Sequence, residues 1–238
     1  MGRWFATTCP GLTADIALDE TIRTEDSSLE LATEECTVEI VAVIDFETTG
    51  LSPAQGDRAT EIAAVLLEDG KVVDRYQSLM NAGVRIPSYI EGLTGISDAM
   101  VRKAPKAAEV MREVSDFVGD YPLVAHNASF DCKFWDAELE RINRKRPQQF
   151  ACSMLLSRRL FPQAPSHKLG TLVEYANLPV AGRYHRALAD AEMAASLLAK
   201  LIEELCNRYE VSKVSHDLLC KIQRTPKHKV GRCIQQHQ

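Results

Sequence analysis

A chain of 238 residues, 45% apolar and 26% charged, suits one compact domain with tails and excludes two full domains. Its net charge of −5 excludes the uniformly basic surface of a tight, nonspecific nucleic-acid binder. No stretch reaches the roughly eighteen apolar residues needed to span a membrane, and the polar start MGRWFATTCPG lacks the continuous apolar core of a secretory signal.

The first 38 residues carry eight acids against Arg3 and Arg23, a local balance of 2 − 8 = −6. They show no strong periodicity, so residues 1–37 read as an acidic N-terminal extension of undecided structure. Residues 40–46, IVAVIDF, are β-branched and apolar and run into Thr48-Thr49-Gly50, the pattern of a buried strand ending in a turn. Side chains alternate along a strand, so Asp45 and Glu47 face one side, roughly 6 to 7 Å apart. Two carboxylates so placed repel unless a cation lies between them, and hard oxygen ligands suit Mg2+ or Mn2+. The alternative is a strand end where both acids simply meet water.

Residues 52–57 read as a loop. Two strands, about 61–68 and 71–79, flank Asp69-Gly70, a two-residue hairpin signal. Residues 106–118 place Val110, Val114, Phe117 and Val118 on one helical face, a core face rather than a recognition surface. A short strand over 121–125 follows, then His126-Asn127-Ala128-Ser129-Phe130-Asp131. Asn127 is the expected N-cap, which puts Asp131 on the first turn of a helix whose apolar face is Phe134, Trp135, Leu139 and Ile142. On this pattern alone, Asp131 is either a ligand or an acid favoured by the helix dipole.

Residues 187–205 are strong helix formers without glycine or proline, a helix of about five turns. Asp190 shares a stripe with Ala194, Leu197 and Leu201, and a carboxylate facing a core needs a donor or a metal. His185 precedes Asp190 by five residues, a rotation of about 140° on a regular helix, so both reach one site only if His185 sits on the loop before it. There it is placed as a general base, or is an exposed loop histidine. Three strands followed by alternating helix and strand predict an α/β fold, a mixed central sheet flanked by helices.

In order, DFETTG, HNASFD and YHRALADA resemble the three exonuclease motifs of the DnaQ-like superfamily, the DEDD group with a histidine in the third motif. This group includes the proofreading epsilon subunit of bacterial DNA polymerase III and ribonuclease T. LEDGKVVDRYQSLMNAG, IEGLTGIS, SRRLFP and HKLGTLVEYANL are similar to further segments of that group, so the resemblance covers residues 38–206. It implies a ribonuclease H-like fold and a two-metal 3′–5′ exonuclease that releases nucleoside 5′-monophosphates from single-stranded DNA or RNA with a free 3′ end.

By the same resemblance, Asp45, Glu47, Asp131 and Asp190 hold two Mg2+ or Mn2+ ions, Asp45 bridges them, and His185 is the base. Thr48, Thr49 and Leu51, with His126 and Asn127 on the opposite lip, meet the terminal nucleotide. No polymerase domain shares this sequence, so proofreading implies a polymerase or replication and repair partner. The rival readings are a ribonuclease H-like endonuclease and a noncatalytic nucleic-acid-binding module of the same fold. Where many relatives have Asp-Thr ahead of the SRRLFP segment, this chain has Cys152-Ser153, which bears on hydrogen bonding near the site rather than on the metal ligands.

Seven cysteines, odd in number and in no CxxC pair, suggest neither a zinc site nor a disulfide framework. Reduced thiols in a cytoplasmic protein are the expectation. Residues 207–238 hold seven bases against two acids, 7 − 2 = +5, a basic C-terminal extension that either contacts phosphates or is a solvated tail.

Overall fold

The computed structural model describes residues 37–180 and 185–237. The acidic residues 1–36, with Cys9 and Cys36, lie outside them.

Five strands form one mixed sheet: β2 (Val41–Thr48), β3 (Ala59–Glu68), β4 (Lys71–Leu79), β5 (Leu123–Ala125) and β6 (Phe150–Cys152), in the order β4-β3-β2-β5-β6. A separate two-stranded parallel pair joins β1 (Thr37–Val38) to β7 (Lys213–Val214). The β2–β3–β4 ladders are antiparallel, and β2, β5 and β6 run parallel. The Asp69-Gly70 turn between β3 and β4 has φ of 45° and 75°, the left-handed pair that a two-residue hairpin requires.

Period-two alternation divides β2 and β3 between two cores. Ala42, Ile44, Phe46, Ile62, Ala64 and Leu66 pack with Val110, Val114 and Val118 of α3 (Ala107–Val118) and with Phe134 and Trp135 of α4 (Ser129–Glu140). Val41, Val43, Ala63, Val65 and Leu67 pack against α5 (Ser153–Leu160), α6 (Leu169–Tyr175) and α7 (Ala187–Tyr209). Both faces of the sheet are therefore covered, and β3 is buried from Ala59 to Leu67. Short helices α1 (Ser88–Thr94) and α2 (Asp98–Lys103) close a small satellite cluster around Ile86, Ile90, Ile96 and Val101.

Three expectations need correction. Asn127 is not the N-cap: it adopts φ 63°, Ala128 occupies the cap without a side-chain bond, and the Asn127 carbonyl accepts from Phe130 N at 2.8 Å. Asparagine tolerates the left-handed region, and here it makes a corner between β5 and α4. Cys206 is disulfide-bonded, so seven reduced thiols do not hold; Cys132, Cys152, Cys220 and Cys233 are free.

The third concerns the basic C-terminal segment, which is no solvated tail. Helix α7 continues to Tyr209, and α8 (His216–Arg224) and α9 (Val230–Gln235) bury Leu218, Leu219, Ile222, Val230 and Ile234 in the α7-side core. Gln223 of α8 accepts from Cys152 N at 2.6 Å and donates to Phe150 O at 3.0 Å, completing edge strand β6 much as a further strand would. Among the described residues no helix is long and apolar enough to cross a membrane.

Candidate active site

Asp45 and Glu47 share the parity of Val41 and Val43, so they point to the α7 side at the carboxyl end of β2. Asp190 arrives there on the first turn of α7. Asp131 comes from the first turn of α4, beyond the end of the sheet, and its Oδ1 accepts from Phe46 N at 3.3 Å. Residues 45, 131 and 190 thus meet although three distant segments supply them.

Their titration records the crowding. Burial pushes Asp45 well above the usual carboxylate range, and the neighbouring Asp131, Asp190 and Glu47 charges push it further. Burial, then Asp190 and Glu61, raises Glu47 to about 8. Asp131 is raised to about 8 by burial, and burial lifts Asp190 against the bond it accepts from the His185 backbone.

His185 lies on the turn before α7 with φ 62°, and its N–H donates to Asp190 Oδ2 at 3.1 Å. That bond holds His185 back over the helix start. One ligand atom each from Glu47, His185 and Asp190 lies within 4.8 Å of the others, so the imidazole and two of the acids address one small volume.

Glu61, which the sequence reading did not single out, organises the same corner. It stands directly opposite Glu47 in the β2–β3 ladder and is fully buried. Arg186 donates to it through Nε at 3.0 Å and a terminal nitrogen at 2.8 Å, Ala187 N at 3.1 Å, and Gln77 at 2.7 Å. Burial favours the neutral acid, but these donors outweigh it and hold Glu61 below its ordinary value. Glu61 therefore caps the start of α7 and fixes the two residues that follow His185. Its signal in the sequence was a single acid inside the apolar run TEIAAVLL.

The loop after β2 is braced independently. Arg58 pairs with the buried Glu138 of α4 through two bonds of 2.7 and 2.8 Å, and Thr49 Oγ1 accepts from Arg58 N at 3.0 Å. Thr48 Oγ1 donates to Gly50 O at 2.6 Å, and Asp57 accepts from Ser52 N at 2.9 Å. A Cβ at Gly50 would collide with the Asp57 carboxylate, which explains that glycine. Thr48 and Thr49 are buried, whereas Leu51 is 76% exposed on the lip.

On the opposite lip Asn127 is exposed. The His126 ring is wedged between Ser153 Oγ at 2.9 Å and His167 O at 3.1 Å, and burial lowers its pKa to about 4. His126 is thus a neutral wall, and Ser153 of the divergent Cys152-Ser153 pair is its partner.

An acid-lined corner at the end of a five-stranded mixed sheet, clad by helices on both faces, is the architecture of a ribonuclease H-like nuclease domain. A family model described as exonuclease matches residues 42–198. The DNA polymerase III PolC-type protein of Oceanobacillus iheyensis is 38% identical over 167 residues, 70% of this chain but 12% of that protein. The solved structure titled exonuclease X in complex with 5′ overhanging duplex DNA is 30% identical at a TM-score of 0.56, covering 68% of this chain and 91% of that one. The nuclease domain of 3′hExo, a DEDDh family member bound to rAMP, shares the fold at a TM-score of 0.62 and 22% identity, covering 71% of this chain and 94% of that one. The chain belongs to the exonuclease family whose model it matches.

Proposed function

We propose that this chain is a metal-dependent 3′–5′ exonuclease that releases nucleoside 5′-monophosphates from single-stranded DNA or RNA. The observation that carries the reading is the electrostatic imbalance around Asp45. Four carboxylates are held together, while Arg186, the nearby cation, is engaged by Glu61. Such a cluster is stable at neutral pH only if protonated or if it binds cations, and all-oxygen ligands fit Mg2+ or Mn2+.

Asp45, Glu47, Asp131 and Asp190 are the residues that would hold two such ions, which when bound would supply Lewis-acid stabilisation at the scissile phosphate. Asp45, buried beside Asp131, Asp190 and Glu47, would be the ligand common to both ions. His185 takes the proton from the attacking water, oriented by its own backbone bond to Asp190. Leu51 on one lip packs against the terminal base; the pinned turn at Thr48 and Thr49, with Asn127 and the neutral His126 wall opposite, sets the width of the opening. The likeness to one segment of PolC-type polymerases supports a polymerase or replication partner as the biological setting.

The test is digestion of a 5′-labelled single-stranded oligonucleotide. A stepwise ladder that needs Mg2+ or Mn2+, stops with EDTA and is lost in Asp45→Asn is expected. One internal cut would instead mark an endonuclease, and tight binding without cleavage would mark a noncatalytic module.

A further inference from the structure

Two long segments of this acidic chain contain no acid at all. Residues 141–168 hold seven Lys or Arg and no Asp or Glu, and residues 218–238 hold five and none. They are far apart in sequence, and the second lies wholly beyond the family match at 42–198. The fold nevertheless joins them on one edge of the molecule.

Helix α8 makes the connection. Its His216 bonds Leu123 O at the start of β5, at 2.9 Å, and its Gln223 bonds Cys152 N at the end of β6. Seven residues of helix climb about 10 Å, so α8 rises along the sheet edge in the direction of β5 and β6, toward the end that carries the acids. It delivers the stretch after Arg224 beside α5, where Arg159 Nε donates to Thr225 O at 3.2 Å, while Arg224 reaches back to Gln149, just ahead of β6, at 3.0 Å. Helix α5 itself begins at Ser153, the partner of His126, and Lys168 follows His167, whose carbonyl meets the same ring.

Arg158, Lys168, Arg224, Lys227 and Lys229 are exposed and Arg159 is half-buried, and none of the six forms an ion pair with a described residue. Arg141, Arg144, Arg146 and Lys221 in the same segments are paired with Glu138, Asp116, Asp136 and Asp217, and Lys145 and Arg232 are exposed and without an ion pair among the described residues, so six of the eight uncompensated bases lie between Lys168, α5 and the α8–α9 link.

We propose that this edge, from Lys168 and α5 to the link between α8 and α9, is a track for the sugar–phosphate backbone of the strand upstream of the 3′ end. The inference rests on the exonuclease reading for its direction. A nucleic-acid backbone fits better than an acidic protein, because the band starts at the proposed cleft and because an acid-rich site gains little affinity for a polyanion without a separate cationic surface.

The experiment measures binding of the full chain to dT20 and dT3 in EDTA by fluorescence anisotropy, over a range of salt, alongside Mg2+-dependent digestion. The triple variant Arg158→Glu, Lys227→Glu, Lys229→Glu should weaken dT20 binding by about tenfold or more and reduce the log–log salt slope by about 2, since each single-strand phosphate contact contributes about 0.7. Binding of dT3 should change less than about twofold, a strand that short making few such contacts. Lys71→Glu on the far sheet edge should leave dT20 affinity intact. If the charge reversal unfolds the protein by circular dichroism, the corresponding glutamine variants replace it, with a smaller loss in the same direction.

Unchanged dT20 affinity and slope, an equal loss for dT3, or an equal loss in Lys71→Glu would each overturn the track. Absence of cleavage with the dT20 pattern intact would instead remove the exonuclease reading and leave the binding surface standing.

Discussion

Glu47 and Glu61 face each other across the β2–β3 ladder, yet they have opposite fates. Glu61 receives four donors, including both arms of Arg186, and titrates below its ordinary value. Glu47 shares its space with other carboxylates and rises to about 8. The difference separates two uses of a buried acid. One is neutralised by the chain and holds the fold; the other is left unneutralised, poised for a ligand that is not part of the chain. The Arg58–Glu138 pair belongs with Glu61, and Asp45, Asp131 and Asp190 belong with Glu47.

The contrast is broken most readily by acid-to-amide changes. Asp45→Asn should lower turnover by about a thousandfold or more, as losses of catalytic-centre carboxylates do, read by oligonucleotide digestion in Mg2+. In EDTA the same change should leave the protein as stable as the parent or more so, because repulsion is relieved. His185→Ala should cost about 10²- to 10⁴-fold in kcat with a smaller change in KM, the range of a lost general base, and should flatten the rise of rate with pH.

Glu61→Gln should act in the opposite sense from Asp45→Asn, destabilising the EDTA form by about 2 to 3 kcal/mol in urea titrations. A broken buried pair costs about 3 to 5, and the figure is reduced because the Arg186 side chain is 35% exposed. If both amides shift stability in the same direction, the distinction between the two kinds of acid fails.

The pH dependence sharpens the same comparison. Glu47 moves from 4.5 up to about 8, and Asp131 from 3.8 up to about 8. The native metal-free protein therefore retains protons that the unfolded chain has released, and it loses stability as pH climbs from about 4 to 8. Thermal midpoints in EDTA should fall across that window, and Mg2+ or Mn2+ should restore them at pH 8; a flat profile would show that the acids are not crowded. The smallest effect is expected at the lip, where Leu51→Ala should raise KM for an oligonucleotide a few-fold by removing about 1 kcal/mol of base packing, without moving the melting temperature.

Much of the site was legible because its signals are local. Strand parity placed Asp45 and Glu47 together, a five-residue interval put His185 on a turn, and the stripe through Asp190 set that acid toward the core. The Asp69-Gly70 hairpin and the helices around Val114 and Leu197 were readable for the same reason. What escaped depends on contacts remote in sequence. Arg186 finds Glu61 across 125 positions and Arg58 finds Glu138 across 80, and neither pairing leaves a periodic trace. Asn127 misled because a capping residue and a left-handed corner call for the same side chain. The packing of the basic C-terminal segment, left between a phosphate contact and a solvated tail, was not legible because its buried positions, among them Leu218, Ile222, Val230 and Ile234, lie on two short helices split by a turn.

The convergence of the acids on divalent ions is tested most directly by titrating the metal-free protein with Mn2+ in a calorimeter at pH 7, in two buffers of different ionisation enthalpy. Binding of about two ions per chain with release of protons is expected, because Glu47 and Asp131 hold theirs until a cation displaces them, and Asp45→Asn should abolish most of it. Absence of saturable binding in the parent, or the same isotherm in Asp45→Asn, would contradict the assignment of these carboxylates as a metal site.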